Sequence, residues 1–562
     1  MRFQGTDMSG TSEARSGGRI LVDALRTHGV DTAFCVPGES FLAVLDALYE
    51  ARDAIRLVVC RQEGGAAHMA EAYGKLTGEP GICFVTRGPG ATNASIGIHT
   101  ARQDSTPLIV FVGQVARGDM GREAWQEIDF RHMFGTQAKW VDQIDDARRI
   151  PEYVSRAFHV ATSGRPGPVV LALPEDMLAE MAVADDAPRY RRIAQAPAAR
   201  DMADLAALLS EARRPMMLLG GGGWSHAACG NLERFARAFD LPVACTFRRQ
   251  DLFDNRNDRY VGEAGLGMDP RLAGRIGQAD LIVAVGPRLG ETSTNGYALL
   301  DVPRPRQKLA HVHLDAGELG RVYSADVTIN ADMASFASAA AQLAPAAPPA
   351  WADWTAQARA DYLDNLRHAP MAGPVDLGEV MAHVRDVLPP EAIITNGAGN
   401  YTLWVQRFYQ YRGWRTQLAP TSGTMGYGVP AAIAAKLVHP DRPAVCFAGD
   451  GCFLMNSQEM ATAVQYGANA VFIVVDNGMY GSIRMHQERH YPGRVHGTDL
   501  RNPDFVALAA AYGLHAEQVL ATADFPAAFA RALEAGRPAL LALKTDPDVI
   551  SPRATIAKLR QG

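Results

Sequence analysis

Residues 444–477 read AVCFAGDGCFLMNSQEMATAVQYGANAVFIVVDN, two short apolar runs separated by a stretch of mixed composition. The runs 444–448 and 470–475 are rich in Val, Ile and Phe, which is typical of buried strands. Between them, Asn456 followed three residues later by Glu459 predicts a capping box at the start of a helix. A strand, a helix and a second strand in this order predict a βαβ unit whose strands lie parallel.

This unit brings polar residues to one edge of the predicted sheet. Asp450 stands between Gly449 and Gly451 after the first strand, and Asn477 follows the second. The carboxyl ends of parallel strands meet at one edge, so we expect Asp450 and Asn477 to lie close together. Carboxylate and amide oxygens suit Mg²⁺, and the glycines allow phosphates to approach backbone N–H groups. The alternative is that GDG is a simple turn with a solvated acid.

The alternation of apolar runs and helical stretches recurs along the chain. Two Ala/Pro-rich stretches, 187–200 and 341–354, divide it into three parts of similar size. The pattern predicts an α/β fold of three doubly wound domains with parallel sheets. We expect the domains to occupy residues 18–186, 198–342 and 370–550.

The composition excludes several classes of protein. The 562 residues are 48% hydrophobic and 21% charged, with a net charge of −6 and no basic block, which argues against nucleic-acid and membrane-surface partners. No apolar run approaches the roughly 20 residues of a membrane span, and the polar segment 1–18 has no signal-peptide core. Seven cysteines without a CxxC pair predict reduced thiols in a cytoplasmic protein.

The order of strand, GDG, helix, strand and the Asn of "DNGMYG" resembles the signature of thiamine-diphosphate enzymes. The resemblance covers the chain beyond residue 18 and is strongest to the acetolactate synthase branch. It implies a cofactor-binding domain at each end and a Rossmann-like middle domain. It also implies that Asp450, Asn477 and the carbonyl of Met479 bind Mg²⁺, which bridges to the cofactor's diphosphate.

Two further segments resemble cofactor-binding turns of this family. "GAGNYT" (397–402) is similar to a diphosphate-binding turn, in which acetolactate synthases usually carry Gln and His at the positions of Asn400 and Tyr401. "TSGTMGYG" (421–428) is similar to the segment beneath the aminopyrimidine ring, with Met425 as an apolar wedge between the two rings. The cofactor contacts that the resemblance implies are Gly399, Asn400, Tyr401, Gly423, Met425, Gly449, Gly451 and Cys452.

Glu63 in "LVVCRQEGGAAHM" (57–69) follows an apolar run and precedes a helical stretch. From the residues alone it is an acid favourably placed at a helix N-terminus. The resemblance implies a catalytic role, in which Glu63 bonds a pyrimidine ring nitrogen so that the thiazolium C2 can lose its proton. In this family the Glu and the Asp of one site come from different subunits, which implies a homodimer or homotetramer.

The reaction is indicated by what the first domain lacks. Decarboxylases of the pyruvate type carry adjacent histidines around segment 103–115, where this chain has Gln114 and Val115. The resemblance therefore implies a carboligase that decarboxylates a pyruvate-like 2-oxoacid and joins the enamine to a second carbonyl compound, in branched-chain amino acid biosynthesis. Gln126 is implied as a catalytic, substrate-side contact. The alternatives are a benzaldehyde-lyase-like C–C lyase, a 2-oxoacid decarboxylase and, least favoured, a non-catalytic regulatory relative.

The middle domain carries weaker signals. "LLGGGGW" (218–224) lacks the GxGxxG spacing of a dinucleotide fingerprint. Biosynthetic acetolactate synthases bind FAD through a motif similar to "VGPRLGETSTNG" (285–296), and Arg288 matches its first arginine. The acidic pair and the second arginine of that motif are replaced. FAD is therefore the less favoured of the implied cofactors.

Overall fold

The computed structural model describes residues 13–561 as three domains, each built around a six-stranded parallel sheet. This confirms the predicted fold class. Residues 1–12, most of the segment that sequence analysis judged not to be a signal peptide, lie outside the described residues. Between residues 13 and 561, no helix is both long and apolar enough to cross a bilayer.

The N-terminal domain has helices on both faces of its sheet. A short antiparallel pair, Arg15–Ser16 with Met181–Ala182, joins its two ends. In spatial order the strands are Arg56–Val59, Thr32–Cys35, Gly81–Val85, Leu108–Gln114, Pro168–Pro174 and Trp140–Gln143. The helices are Gly17–Thr27, Leu42–Glu50, Glu63–Thr77, Gly88–Asp104, Phe130–Phe134, Ile150–Thr162 and Glu175–Ala179.

The middle domain follows the same plan. In spatial order its strands are Tyr260–Ala264, Val243–Thr246, Pro215–Leu219, Leu281–Val285, Lys308–His313 and Val327–Asn330. Its helices are Ala199–Glu211, His226–Ala238, Pro270–Gln278, Met333–Ala340 and Ala352–Asn365. The last of these begins within the second Ala/Pro-rich stretch, and its Trp354 and Tyr362 are buried in the middle domain's core.

The C-terminal domain contains the predicted βαβ unit of residues 444–477. In spatial order its strands are Gln417–Leu418, Ile393–Asn396, Ala444–Gly449, Val471–Asp476, Ala539–Lys544 and His515–Val519, and Val549–Ser551 pairs antiparallel with Ala554–Thr555. The helices are Leu377–Val387, Thr402–Phe408, Gly428–Val438, Asp450–Leu454, Met460–Gln465, Gly481–His490, Phe505–Ala511, Phe525–Glu534 and Ile556–Arg560.

The first and last domains share a hydrophobic core. Helix Glu63–Thr77 packs against helix Gly428–Val438, and small residues of both, among them Ala66, Ala70 and Ala432, belong to one buried cluster. Small residues allow two helices to approach closely, and each buried methyl group adds to the hydrophobic stabilisation. The helix that begins at Glu63 is therefore held by both domains.

Candidate active site

Asp450 directly follows strand Ala444–Gly449 and begins a helix at the carboxyl edge of the C-terminal sheet. It is the first residue of helix Asp450–Leu454, and its side chain is buried. Its Oδ1 accepts from its neighbour Gly451 N at 2.8 Å, and its Oδ2 accepts from Gly478 N at 2.8 Å. Burial raises the pKa of Asp450, and these donors oppose that rise. The carboxylate thus reaches the turn that contains Asn477, as the strand topology predicts.

A third donor to Asp450 comes from Asn502, which sequence analysis did not single out. Asn502 Nδ2 donates to Asp450 Oδ2 and to Asp476 Oδ1, both at 2.8 Å. Asn502 Oδ1 is buried without a partner in the described chain. Because Asn502 bridges the two acids that end neighbouring strands, it fixes the direction in which Asp450 points.

A cavity of 240 Å³ lies over this edge of the sheet; we call it the C-terminal cavity. Its lining comes from segments 398–401, 423–425, 449–452 and 475–483 of the described chain. Every site residue that the sequence analysis assigned to this domain lines it: Gly399, Asn400, Tyr401, Gly423, Met425, Gly449, Asp450, Gly451, Cys452, Asn477 and Met479.

The donor set at this cavity fits a hard cation with phosphate ligands. A buried carboxylate, an amide side chain and the Met479 carbonyl offer oxygen atoms of the kind that Mg²⁺ prefers. Gly399 has φ of +147°, and a Cβ on Gly451 would lie 2.5 Å from Tyr480 Cε1, so neither position accepts a side chain and the backbone there stays uncovered. The residues present therefore fit a magnesium-bound diphosphate.

The side chains of Asn400 and Tyr401 are already bonded within the chain. Asn400 Nδ2 donates to Ile550 O at 2.9 Å, and its Oδ1 accepts from Ser482 Oγ at 2.9 Å. The Tyr401 hydroxyl accepts from Gly397 N at 3.1 Å and lies 3.4 Å from Cys452 Sγ. These two side chains shape the wall of the cavity and tie it to the C-terminal segment.

Glu63 lies outside the lining of its own chain's C-terminal cavity. It begins helix Glu63–Thr77, is 9% exposed, and accepts at Oε2 from Asn93 Nδ2 at 2.9 Å. All residues that line the cavity lie between 398 and 483. One chain therefore supplies both predicted halves of a site without bringing them together.

The predicted capping box at Asn456 and Glu459 is wrong. Asn456 makes no side-chain cap and instead donates from Nδ2 to Gly426 O at 2.9 Å. The Glu459 carboxylate accepts from the backbone N–H groups of Arg61 and Gln62, in the N-terminal domain. A contact between domains has replaced the local one, since the buried acid finds two donors there.

Two glutamines of the N-terminal domain have defined surroundings. Gln126 has φ of +66°, and its carbonyl accepts from Gly88 N at 3.0 Å. Gln114 is buried, donates from Nε2 to Ile128 O at 2.8 Å, and accepts at Oε1 from Val115 N at 3.0 Å. Neither glutamine lines the C-terminal cavity of its own chain.

A cavity of 270 Å³, lined in part by Gly222, Trp224 and Leu314, borders the sheet edge of the middle domain, whereas the room beside Arg288 is small. Arg288 Nη2 donates to Gln103 O at 3.2 Å, and the cavity beside it measures 60 Å³. Open α/β sheets bind ligands in the crevice at the carboxyl ends of two neighbouring strands where the strand order reverses. In this domain those strands end at Leu219 and Val285. A Cβ on Gly221 would lie 1.9 Å from Gly286 O, so the two loops are in contact. The two loops at this switch point therefore leave no room for a ligand between them.

Family models match all three domains. The model of the N-terminal binding domain of thiamine pyrophosphate enzymes matches residues 15–133, the central domain 202–340, and the C-terminal binding domain 397–543. The chain therefore belongs to the family of thiamine pyrophosphate (thiamine diphosphate) enzymes.

Similar proteins indicate the branch of this family to which the chain is most alike. The chain is 35% identical over 520 residues to the acetolactate synthase large subunit of Parasynechococcus marenigrum, covering 89% of this chain and 82% of that protein. It is 30% identical over 541 residues to the acetolactate synthase isozyme 2 large subunit of Escherichia coli, covering 94% and 96%. A probable acetolactate synthase large subunit of Methanocaldococcus jannaschii is 32% identical over 552 residues, with 94% and 92% covered. The resemblance to the acetolactate synthase branch is confirmed.

Proposed function

We propose that this chain is a thiamine-diphosphate- and Mg²⁺-dependent carboligase. It decarboxylates a small, pyruvate-like 2-oxoacid and joins the remaining carbon unit to a second carbonyl compound. The observation that carries the proposal is the contact of Asp450 with the Asn477–Met479 turn at the edge of the C-terminal cavity. If the acceptor is a second pyruvate, the product is acetolactate, and the predicted role in branched-chain amino acid biosynthesis follows.

The C-terminal cavity would hold the cofactor through its diphosphate. Asp450, Asn477 and the Met479 carbonyl would bind Mg²⁺, and the backbone at Gly399, Gly449 and Gly451 would face the phosphates. Further contacts would come from Gly423 and Met425 at the aminopyrimidine, and from Asn400, Tyr401 and Cys452 in the wall. When bound, the thiazolium supplies an electron sink for the bond that breaks at the carboxylate.

Glu63 would hold the proton that the cofactor's pyrimidine ring shares. Asn93 occupies Oε2, which leaves Oε1 for the ring nitrogen. Because Glu63 is absent from its own chain's cavity lining, the proposal places it in the site of a partner subunit, in a homodimer or a tetramer of dimers. Exposed apolar side chains near this helix and near the cavity support such an interface: Ile96 is 41% exposed and Met455 46%.

Carboligation is favoured over simple decarboxylation by the surroundings of Gln114. Both ends of its side chain are bonded within the chain, so the position at which related decarboxylases carry histidine presents no acid to the site. Without a proton donor at this position, the site would favour joining to a second carbonyl compound over simple protonation. Gln126 keeps its proposed place on the substrate side, since its exposed neighbour Trp125 leaves this loop open to a partner.

We further propose that the enzyme works without FAD. The acidic pair and the second arginine of the FAD motif are replaced, and Arg288 donates to Gln103 O beside a cavity of only 60 Å³, although a 270 Å³ cavity lies at the same sheet edge. A purified protein that carries flavin absorbance would contradict this. The cytoplasmic location stays a prediction.

The test is a product screen. Purified protein is mixed with thiamine diphosphate, Mg²⁺ and pyruvate, alone or with added aldehydes, and acetolactate, other acyloins and acetaldehyde are measured. We expect an acyloin product that depends on both cofactors, and none from Asp450→Ala. Acetaldehyde as the main product would favour the decarboxylase alternative, and cleavage of acyloins would favour the lyase alternative. If the enzyme turned over no 2-oxoacid, the proposal would be refuted.

A further inference from the structure

Glu459 is a buried acid in an unusual place. It is fully buried, and its carboxylate accepts from Arg61 N at 3.1 Å, from Gln62 N at 3.0 Å and from Thr462 Oγ1 at 2.6 Å. Burial raises its pKa, and these hydrogen bonds favour the ionised form. Two of the donors belong to another domain, almost 400 residues earlier in the chain.

The two backbone donors stand directly before Glu63. Gln62 is the N-cap of helix Glu63–Thr77, and its side chain accepts from Gly64 N at 2.6 Å and from Gly65 N at 3.2 Å. The N–H groups around the start of this helix are thus divided between Gln62 and Glu459. A carboxylate is favoured at a helix N-terminus both by these donors and by the helix dipole.

Gly65 completes the receptor for this acid. A Cβ at Gly65 would lie 2.5 Å from Glu459 Oε1, closer than any real side chain allows. The glycine is therefore required by the approach of Glu459, since Gly65 itself lies inside a regular helix. The segment RQEGG (61–65) therefore binds the carboxylate of Glu459, which belongs to another domain.

Glu459 also stands at the end of the segment that borders the C-terminal cavity. That segment begins at Asp450, and the loop of Met425 is fastened to it twice. Gly426 N donates to Cys452 Sγ at 3.2 Å, and Gly426 O accepts from Asn456 Nδ2 at 2.9 Å. Three residues further on, Glu459 reaches the start of the Glu63 helix.

We infer that Glu459 is a positioning residue, which fixes the start of the Glu63 helix from the segment that borders the C-terminal cavity. The inference rests on the proposed function. Because Glu63 and the cavity of one chain belong to different sites of the dimer, Glu459 joins the diphosphate edge of one site to the proton-sharing acid of the other. Its removal should misplace Glu63 without weakening the cofactor's anchor.

The test uses the full-length chain and the variant Glu459→Gln, which keeps the size of the side chain. Arg61 N and Gln62 N both donate to Glu459 Oε1, so a glutamine can keep one oxygen for them, but it removes the charge and puts its amide group in place of Oε2, which also accepts from Arg61 N and from Thr462 Oγ1. In the apoprotein we expect amide hydrogen exchange of Arg61 and Gln62 to become about 10-fold faster, because a charged acceptor is replaced by a neutral one.

The second readout uses the cofactor-loaded enzyme. We expect the rate at which the enzyme exchanges the C2 proton of added thiamine diphosphate to fall about tenfold or more, while the half-saturating cofactor concentration stays within about twofold. A role in folding alone would instead raise the half-saturating cofactor concentration as the rate falls, because unfolding competes with cofactor binding. Gly65→Ala, which displaces the carboxylate from the opposite side, should give the same pair of results.

Tyr466→Phe is the matched control. Tyr466 accepts at its hydroxyl from Val59 N at 2.8 Å, so it bonds the same two domains without touching Arg61 or Gln62. This variant should leave both readouts unchanged. Unchanged amide exchange in Glu459→Gln would overturn the inference, as would faster amide exchange with a wild-type rate of C2 exchange. If the wild-type enzyme exchanged no C2 proton, the proposed function would be overturned instead. The wild-type measurement therefore distinguishes failure of the proposed function from failure of the inference about Glu459.

Discussion

Replacing Asn502 by Ala should weaken Mg²⁺ binding while leaving every proposed metal ligand in place. Asn502 Nδ2 donates to Asp450 and Asp476 at 2.8 Å each, so its removal takes one of three donors from the buried Asp450 carboxylate. Residues that orient a metal ligand typically contribute about 10- to 100-fold to metal affinity, or about 1.4–2.7 kcal/mol. We therefore expect the half-saturating Mg²⁺ concentration to rise by that factor.

The assay titrates Mg²⁺ at saturating thiamine diphosphate and follows product formation. Lys544→Ala is the control, because Lys544 Nζ contacts Asp476 at 2.9 Å but not Asp450, and its side chain is 52% exposed. An exposed ion pair contributes at most about 1 kcal/mol, so the control should shift the midpoint by less than about fivefold. If the Mg²⁺ midpoint of Asn502→Ala stayed within twofold of wild type, or if both variants shifted equally, Asn502 would not be the residue that orients Asp450 for metal binding.

Two further predictions concern the stability of the fold. Lys75→Met removes the cation that contacts the buried acids Glu71 and Asp104, so the free energy of unfolding, measured in urea, should fall by about 3–5 kcal/mol. The control Lys308→Met removes the cation of an exposed pair with Asp326 and should lower that free energy by less than about 1 kcal/mol. Equal losses in the two variants would contradict this prediction. Burial lowers the pKa of His28 to about 4, so the unfolded chain binds a proton more readily below pH 6.5, and stability falls as the pH drops from about 6.5 to 4. His28→Asn keeps an acceptor for Tyr190 N. It should reduce the slope of the unfolding free energy against pH in that range by at most about 1.4 kcal/mol per pH unit. An unchanged slope would show that His28 is not the source of this pH dependence.

The sequence predicts the architecture and the edge at which the site lies, for a physical reason. Apolar runs that end in glycine report parallel strands directly, and the carboxyl ends of such strands converge, so Asp450 and Asn477 can be paired without a structure. The same reasoning extends to the glycines at 399, 449 and 451, which stand where a strand hands over to a turn.

Residues that act across a domain boundary escape that reasoning. Glu459 fits a local capping pattern, and only packing shows that its carboxylate reaches Arg61 and Gln62 instead. Asn502 lies in a loop 52 positions after Asp450 and belongs to no periodic pattern. Asn93, which bonds Glu63, lies on a helix whose spacing gives no sign of its partner. In each case the deciding contact is long-range, so sequence spacing carries no signal for it.

The central claim is that Glu63 of one chain serves the C-terminal cavity of its partner. The most direct measurement mixes Glu63→Gln chains with Asp450→Ala chains, each inactive alone, lets the subunits exchange, and assays the mixture. A mixed dimer would then contain one site with both native residues, so about a quarter of the wild-type activity should return after random association. If subunits exchange and no activity returns, the site lies within one chain and the account is contradicted.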